Sequence, residues 1–296
     1  MAPPAIARSR LVADLRALGV REGSALMVHV RMSALGWVVG GSETVVASLL
    51  EALGPEGTLM AYASWQEHVY HAAEWPAEHR AAYLAEPPVF DPATAEAARD
   101  HGRIPERVRT WPGARRSVHP EAGVVAVGPL ARELTADHPQ ADAYGPDSPF
   151  ARLVAAGGQV LMLGAPLDTL TLLHHAEAIA TAPGKRTVTF EIPVAVPGGV
   201  VRRAYTDIDT SRGAYPYERL GLPGDEFEAI AGAALEAGIG ATGSVGEAAC
   251  HLFPAPELVR LAPPGSTTAS FSRTKGSDPA GRRSEGAHRA VRRGAP

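Results

Sequence analysis

Two adjacent histidines and a glutamate occur within four positions of one another in the segment "DTLTLLHHAEAIA", residues 168–180. Side chains three positions apart lie one above the other on a helix, so Thr171, His174 and Glu177 share one face, and His175 points about 100° away. Histidine is the usual general base near neutral pH, which makes His174 a candidate for removing a proton from a substrate. The alternative is a core histidine whose ring nitrogens bond to neighbouring groups.

This histidine segment directly follows the strand-like run "GQVLMLGAP". The spacing predicts a helix that begins at Asp168 or Thr169, with its N-terminal amides near the crevice beyond the strand end. Open α/β sheets commonly bind ligands in that crevice. We therefore expect the His174 face of the helix to border a binding site.

Two further carboxylates, Asp207 and Asp209, lie in "RRAYTDIDTSRGAY". They share one face if the segment is extended, because side chains alternate along a strand. Such a pair could orient a histidine, bind an ammonium group or bind a metal. The alternative is an exposed turn with solvated acids.

A second histidine-rich segment, "SWQEHVYHAAEW", groups Glu67, His68, His71 and Glu74 just after a strand candidate. Histidines three positions apart on a helix can ligate a metal, but the segment has no HExxH pattern and no cysteine support. We expect no metal here, and we expect the Glu67 carboxylate to face a cationic substrate. A metal-dependent hydrolase built on Glu67, His68 and His71 is the alternative.

Two loops combine groups that suit an anion. The segment "RTWPGARRSVHPEAG" has a proline-glycine turn followed by arginines, a serine hydroxyl and a histidine, and such groups bind phosphate or carboxylate. In "MVHVRMSALGW" a strand runs into a loop of small residues whose amides could meet an anion, although no P-loop or GxGxxG is present. A solvated basic turn is the alternative for the first of them.

The elements that must position these residues are short and alternate in type. Helical spacing is found in "ARSRLVADLRALGV", closed by Gly19, in "ETVVASLLEAL", with Ser42 as a plausible cap, and in "DEFEAIAGAALEAG". Strand candidates are "ALMVHV", "TLMAYAS", "GVVAVG", "QVLMLGA" and "TVTFEIPVAV". The alternation predicts an α/β domain with helices layered around a central sheet. Prolines loosen the pattern between Gln66 and Arg109, and we place that segment over the site as a lid or binding loop.

The composition is that of a soluble globular chain of 296 residues, 45% of them hydrophobic. The formal net charge of −4 gives no general case for binding nucleic acid or an anionic membrane. A single cysteine, Cys250, excludes an internal disulfide and a thiolate metal site, and we expect it to be a buried small hydrophobe. No secretory signal or membrane span is evident, so a cytoplasmic protein is expected.

The composition changes after about Pro264. Residues 268–296 hold seven Lys or Arg against two Asp or Glu and one aromatic residue, which predicts a disordered basic tail. We therefore divide the chain into a domain at 1–266 and a tail at 267–296. The tail could bind acidic surfaces or nucleic acid, but an inert terminus is expected.

Seven motifs taken together resemble one known family. They occur in the family's order and rough spacing over residues 8–262, and they read "VHVRMSALGWVVGGSETVVASLLEALGPEGTLMAYASW", "FDPATA", "RRSVHPEAGVVAVGP", "AYGPDSPFARL", "LMLGAPLDTLTLLHHAE", "DIDTS" and "GSVGEAACHLF". The family is that of the aminoglycoside 3-N-acetyltransferases. The resemblance implies an α/β fold distinct from the GCN5-related acetyltransferases. It also implies acetyl transfer from acetyl-CoA to the 3-amino group of the 2-deoxystreptamine ring, which inactivates the antibiotic.

The resemblance also assigns roles to residues. His174 matches the histidine of an "LHxAE" motif and Asp209 the acid of a "DxD" or "ExD" motif, and the two look like the catalytic pair. Asp207 stands where some members have glutamate, and Glu67 where relatives often have an acid after "SW". With Tyr144 of the "AYGPDSPFARL" motif, these are the expected substrate-binding residues. The coenzyme-binding segments are expected at His29, Val30, Arg31, Met32, Ser33 and Ala34, and at Arg116, Ser117 and His119.

The residues fit this chemistry physically. A polycationic aminoglycoside suits carboxylates, and the anionic coenzyme suits arginine, hydroxyl and amide groups. His174 would take the proton of the amine, with Asp209 or Glu177 holding the imidazole, and Thr171 with nearby amides would stabilise the oxyanion. Direct attack on the thioester needs no covalent acetyl-enzyme and no metal. Acetylation of another amine, or non-catalytic binding of an aminoglycoside or coenzyme, are the remaining alternatives. The sequence does not indicate the preferred aminoglycosides or the oligomeric state.

Overall fold

A computed structural model describes residues 4–65, 75–181, 183–210, 214–215 and 226–261. The helices are α1 (Arg8–Leu18), α2 (Gly41–Leu53), α3 (Ala77–Ala85), α4 (Arg103–Arg109), α5 (Ala131–Thr135), α6 (Pro149–Ala155), α7 (Leu172–Ile179), α8 (Glu226–Glu236) and α9 (Ala255–Leu261). The strands are β1 (Ala5–Ile6), β2 (Ala25–Val30), β3 (Trp37–Val38), β4 (Thr58–Tyr62), β5 (Arg115–Arg116), β6 (Val124–Val127), β7 (Gln159–Leu163), β8 (Thr187–Val196), β9 (Gly199–Ile208), β10 (Ala241–Val245) and β11 (Ala248–Pro254).

Seven of these strands form one mixed sheet in the order β10-β11-β7-β2-β4-β6-β5. The three central strands β7, β2 and β4 run parallel, whereas β11 and β6 pair antiparallel on either side of them. The central strands are buried on both faces and consist almost entirely of apolar residues, as the strands of a covered parallel sheet do. This confirms the predicted α/β layers around a central sheet.

Each face of the sheet has its own hydrophobic core. In β2, Met27 points into the core built with α6, α7, α8 and α9, and Leu26 and Val28 point into the core built with α1, α2 and α4. Side chains alternate along a strand, so one short apolar run supplies both cores. The central sheet therefore has helices on both faces, and the ends of its strands can border a binding site.

The helix that follows β2 and the helix that precedes β7 pack on opposite faces of the central sheet. Helix α2, which connects β2 to β4, packs in one core, and α6, which leads into β7, packs in the other. In an open α/β sheet such a reversal leaves a crevice beyond the carboxyl ends of the adjacent strands, where ligands bind. The fold thus predicts a site at the ends of β2, β4 and β7.

A long hairpin of β8 and β9 lies outside the central sheet. Its apolar residues pack in a third cluster with Trp65 and Phe90, and its strand β9 bonds to the segment that leads to Tyr144 through the Thr206 carbonyl and the Asp142 amide. The sequence predicts the strand at 187–196 but not that it leaves the sheet. The hairpin therefore supports the site from outside rather than extending the sheet.

Most predicted elements are confirmed, with shifted ends. Helix α1 ends at Gly19, whose φ of 107° is left-handed as expected, but the cap of α2 is Gly40 rather than Ser42. The loosely patterned segment 66–109 holds α3, a short 3-10 helix (Arg99–His101) and α4 within its described part, so it is more regular than predicted.

Cys250 is fully buried on β11, as predicted for a small hydrophobe. None of the helices in the described ranges is long and apolar enough to cross a membrane.

Candidate active site

A cavity of about 710 Å³ lies beyond the carboxyl ends of β2, β4 and β7. We call it the central cavity. Its lining brings together parts of the chain that are far apart in sequence, namely Val28–Ser33, Tyr62, Asp100–Arg103, Pro105, Tyr144, Ala165, Pro166, Asp168, Thr169, Thr171, His174, Thr210 and Phe227. The position is the one predicted from the strand ends and from the histidine segment.

Helix α7 presents His174 to this cavity. The His174 Nδ1 atom lies 2.6 Å from Oε2 of Glu177, whose side chain is only 3% exposed, whereas the His174 side chain is 20% exposed. The burial of the acid and the partial exposure of the base leave the imidazole as the group that meets solvent or substrate. The predicted shared face of Thr171, His174 and Glu177 is thus formed, with Thr171 and His174 both lining the cavity.

The start of α7 differs from the prediction. A 3-10 helix spans Leu167–Thr169, and the α-helix begins only at Leu172, with Thr171 in the N-cap position. The Thr171 amide bonds to the Thr169 carbonyl at 2.8 Å, and its hydroxyl lies 3.4 Å from the same carbonyl. The prediction of a helix starting at Asp168 or Thr169 is wrong, because a tight turn after Pro166 comes first.

His175 points away from the cavity, as the helical spacing predicts. Its Nδ1 atom lies 2.6 Å from the Tyr144 carbonyl, and its ring is 4% exposed. Burial lowers the pKa of His175. The neutral ring can therefore donate to the carbonyl, so that the two adjacent histidines divide into one that faces the cavity and one that fixes the backbone of Tyr144.

Tyr144 connects the two sides of the cavity. Its ring centroid is 5.2 Å from that of His174, and its hydroxyl lies 3.0 Å from the hydroxyl of Tyr62. The Tyr62 hydroxyl in turn donates to the Glu121 carbonyl at 2.6 Å. Because a hydroxyl has one proton, Tyr144 donates to Tyr62, and this bond joins the segment that carries Tyr144 to the end of β4.

The loop after β2 also lines the central cavity. His29, Val30, Arg31, Met32 and Ser33 all line the cavity, and Ala34 closes the 3-10 helix that follows the strand. Burial, assisted by the charge of His101, lowers the pKa of His29 to about 3, so its ring is neutral near pH 7. The predicted coenzyme-binding segment therefore borders the central cavity.

The Arg116 segment has a different position from the one predicted. Ser117 is fully buried, accepts the Val124 amide at 3.0 Å and bonds to the His138 ring at 2.9 Å. His119 is 1% exposed and accepts the Ala122 amide, and burial lowers its pKa well below the usual value. Arg116 lies over the Phe90 ring at 5.6 Å, and burial lowers its pKa to about 10. These three residues do not line the central cavity, so their geometry argues for a supporting role rather than coenzyme contact.

Asp207 is also an interior residue. It is 6% exposed, accepts the Ile208 amide at 2.9 Å, and does not line the cavity. Burial raises its pKa to about 7, and the nearby carboxylates of Asp142 and Glu121 act in the same direction. Direct contact of Asp207 with substrate, as predicted, does not fit this burial. Its carboxyl group accepts the Ala143 amide instead and so supports the backbone beside Tyr144.

Asp209 lies just beyond the end of β9 and is half-buried. Its amide donates to the Arg186 carbonyl at 3.0 Å, while the following residue, Thr210, lines the cavity. The predicted shared face of Asp207 and Asp209 is interrupted, because the strand stops at Ile208. The short contact from His174 to Glu177 favours Glu177 as the acid that orients the ring.

The remaining predicted group, Glu67 with His68 and His71, lies outside the described residues. Among the residues that the structure does describe, no group of three or more His, Cys, Asp or Glu side chains could hold a metal ion.

Several lining residues were not predicted as site residues. His101 bonds to the Ser64 hydroxyl at 2.5 Å and contacts the Tyr62 ring edge-on at 4.8 Å. Phe227 of α8 contacts the His174 ring at 4.7 Å. Tyr62 ends a parallel strand, a position that sequence reasoning could have singled out, whereas His101 and Phe227 reach the cavity only through packing of distant segments.

The fold and the cavity define an α/β protein whose candidate site holds a histidine and carboxylate pair at the carboxyl ends of parallel strands. A family profile described as aminoglycoside 3-N-acetyltransferase matches residues 27–264. Aminoglycoside N(3)-acetyltransferase VIII of Streptomyces fradiae is 56% identical over 258 residues, covering 86% of this chain and 90% of that protein. The chain belongs to the aminoglycoside 3-N-acetyltransferase family.

Solved structures agree with this assignment. Aminoglycoside acetyltransferase AAC(3)-Xa superposes with a TM-score of 0.83 at 47% identity, covering 87% of this chain and 91% of that one. AAC-IIIb, solved as a binary complex with CoASH, superposes with a TM-score of 0.80 at 41% identity, covering 93% of this chain and all of that one. The predicted family and its fold are thereby confirmed.

Proposed function

We propose that this protein transfers the acetyl group of acetyl-CoA to the 3-amino group of the 2-deoxystreptamine ring of an aminoglycoside, with His174 as general base. The observation that carries the proposal is the 2.6 Å contact between His174 and the buried Glu177 at the edge of the central cavity. The family of the chain supplies the reaction class, and this pair supplies a group that can start the reaction.

The first chemical task is to remove a proton from the substrate amine. An ammonium group has no lone pair, so it must lose a proton before or during its attack on the thioester carbon. Glu177 accepts from Nδ1 of His174, which fixes the tautomer with a basic Nε2 atom and stabilises the imidazolium that forms. General base catalysis of this kind contributes about 10²–10⁴-fold to the rate.

The second task is to stabilise the charge that develops on the thioester oxygen. The Thr171 hydroxyl lies one helical turn before His174 and lines the same cavity. Its contact to the Thr169 carbonyl is long, at 3.4 Å, so that the proton can be redirected to a better acceptor. Thr171 is therefore the donor that we assign to the oxyanion. The ammonium loses one of its protons to solvent before the attack, and His174 takes a second proton from the nitrogen as the new carbon-nitrogen bond forms. When the intermediate collapses, the carbon-sulfur bond breaks and the thiolate takes that second proton from the imidazolium.

The geometry favours direct transfer over a covalent acetyl-enzyme. Cys250 is fully buried on β11, and burial raises the pKa of its thiol, which disfavours the nucleophilic thiolate. Ser64, although bonded to His101, is also fully buried. Neither side chain can reach a thioester in the cavity.

The cavity also suits a polycationic acceptor. Asp168 and Asp100 both line it, and Asp168 is exposed at its edge. Tyr144 lines the same cavity and adds a neutral polar side chain. Carboxylates at the entrance attract a cation and raise its encounter rate.

A thiol-release assay with acetyl-CoA tests the proposal. The acceptors are a panel of 2-deoxystreptamine aminoglycosides and simple amines, and mass spectrometry with NMR locates the acetyl group on the product. We expect acetylation at the 3-amino group, its loss in His174→Gln, and unchanged turnover in Cys250→Ala. Exclusive acetylation of a small amine, or of another amino group, would reject the proposed substrate while leaving the reaction class intact.

A further inference from the structure

The imidazole of His174 contacts aromatic rings from two distant segments of the chain. The centroid of the Tyr144 ring lies 5.2 Å from that of His174, with 57° between the ring planes, and the centroid of the Phe227 ring lies 4.7 Å away at 61°. Tyr144 precedes α6, whereas Phe227 is in the first turn of α8. The proposed function has so far given Phe227 no role.

The bond to Glu177 does not by itself fix the orientation of the His174 ring. A hydrogen bond at Nδ1 restrains one atom of the ring, and the χ2 torsion of histidine has a broad range. Small rotations of the side chain can therefore keep that bond while they move Nε2 along the wall of the cavity. A general base has to hold its acceptor atom within hydrogen-bond reach of the proton that it removes. A further contact with the ring is therefore needed to direct Nε2.

Phe227 is firmly held in a position to make that contact. Its side chain is 6% exposed, and Ile230, Ala231 and Ala234 of the same helix are buried with it in the core that also contains the apolar side of α7. Side chains in a close-packed core cannot move aside without opening a void. Phe227 thus limits the rotation of the His174 ring from a fixed position.

Tyr144 restrains the ring as well, but its loss would have several effects. Its hydroxyl bonds to Tyr62, and its ring stacks on Phe150 at 5.1 Å. The phenyl ring of Phe227 has no polar atom, so it can neither donate a hydrogen bond nor exchange a proton. Packing is the means by which Phe227 can act on His174, which makes it the better residue for testing this restraint.

We propose that Phe227 is a positioning residue for acetyl transfer, whose ring holds the His174 imidazole in the orientation in which Nδ1 bonds to Glu177 and Nε2 faces the substrate amine. The inference rests on the proposed function in so far as His174 is the general base. The contribution of Phe227 to the rate passes through His174.

The test uses Phe227→Leu, which keeps a buried apolar side chain but removes the flat ring that contacts His174. Ile230→Val is the matched control. Ile230 is 2% exposed, lies one turn further along α8 in the same core, and does not line the central cavity. Both substitutions remove a few buried atoms from one helix, and the ring contact is lost in Phe227→Leu alone.

Phe227→Leu is expected to lower kcat by about 10- to 100-fold, the range for a misplacement of up to about 1 Å, with KM for acetyl-CoA changed less than about threefold. Ile230→Val should keep kcat within about twofold of wild type. A rise in KM for the aminoglycoside with kcat unchanged would show that Phe227 contacts substrate instead. An equal loss of kcat in both variants would show that only the stability of α8 matters, and either result overturns the proposal.

A second variant background tests whether the effect passes through His174. Residues that act as a unit have non-additive effects on kcat. Once His174→Gln has removed the base, the added Phe227→Leu substitution has no imidazole to misplace, and the residual kcat should change less than about twofold. The same loss of kcat in both backgrounds would contradict the inference.

NMR of the protein labelled with 15N-histidine separates this inference from the proposed function, because it needs no substrate. The Nδ1 proton of His174 is identified by its absence in His174→Gln. We expect its signal in wild type and in Ile230→Val, and we expect it to broaden or disappear in Phe227→Leu. An unchanged signal in Phe227→Leu, or no such signal in wild type, defeats the inference whatever the reaction. If the signal behaves as expected while His174→Gln keeps full turnover, Phe227 still positions the ring and the proposed base is what fails.

Discussion

His174 Nδ1 and Glu177 Oε2 lie 2.6 Å apart on one face of α7, with the acid buried and the base facing the central cavity. Because the two residues are on the same helix, their geometry depends little on how distant segments pack. The orienting acid is thus built into the element that carries the base. The same acid lies close to Tyr215, whose hydroxyl has its pKa raised by its own burial and, to a smaller extent, by the charge of Glu177.

Removing the acid should reveal its role. Glu177→Gln is expected to lower kcat, by up to about 10⁴-fold if it resembles the loss of the carboxylate in a serine-protease triad, because the ring loses its preferred tautomer. His174→Gln should lower kcat by about 10²–10⁴-fold. Steady-state kinetics with both substrates, together with circular dichroism to confirm folding, measures both effects. If Glu177→Gln keeps wild-type kcat while Asp209→Asn loses it, the orienting acid is Asp209.

Tyr144→Phe should affect the acceptor and spare the donor. The variant keeps the ring that packs against His174 but loses the hydroxyl of a residue that lines the cavity. We expect KM for the aminoglycoside to rise about 3- to 10-fold, the worth of one neutral hydrogen bond, with KM for acetyl-CoA unchanged. An equal rise in both KM values would show that the hydroxyl only maintains the shape of the cavity.

Gly164 allows the loop at residues 29–34 to approach β7. Its φ is +66°, and an added Cβ atom would lie 2.6 Å from Cβ of Ala34. Gly164→Ala is expected to lower the free energy of unfolding by about 1–3 kcal/mol through overpacking, and to raise KM for acetyl-CoA because the 29–34 loop must shift. Gly232→Ala on α8 is the control, since nothing lies within 4 Å of its added Cβ atom. Denaturant titration and kinetics should therefore separate the two alanine variants, and similar behaviour of both would contradict this account.

Asp207 should make stability depend on pH. Its pKa is raised to about 7 in the folded protein by burial, against 3.8 for an ordinary aspartate. Between these values the native state holds a proton that the unfolded chain has released, so stability falls as the pH rises through this window. The free energy of unfolding of Asp207→Asn relative to wild type should therefore increase between pH 5 and pH 8, by on the order of 2 kcal/mol.

Asp207→Asn must be compared with wild type because buried histidines change the free energy of unfolding with pH in the opposite direction. Burial lowers the pKa of His138 to about 4, so its contribution to stability is present above about 6.5 and is lost as the pH falls through 4. His138 is present in both proteins, so subtracting the free energy of unfolding of wild type from that of Asp207→Asn cancels its contribution. Glu133→Gln, at an exposed position on α5, is the control. Parallel pH profiles for wild type and Asp207→Asn would show that Asp207 ionises as an ordinary surface acid does.

The sequence predicted the parts of this site that depend on local geometry. The three-residue spacing of Thr171, His174 and Glu177 is a property of any helix, and the same spacing directed His175 to the other side. The apolar runs of β2, β4 and β7 predicted a covered sheet, and the loop after β2 follows one of those strands directly. The motifs predicted the family that the comparisons confirm.

Only the tertiary structure decided which of the remaining polar residues reach the cavity. Asp207, Ser117 and His119 have the residue types of a binding site, yet packing of the β8–β9 hairpin and of the segment around His138 buries them. Tyr62, His101, Arg103 and Phe227 come from three separate segments and meet only when the sheet and its helices assemble. Local spacing fixes the direction of a side chain relative to its own element, whereas burial and contact depend on long-range packing, which no short stretch of sequence specifies.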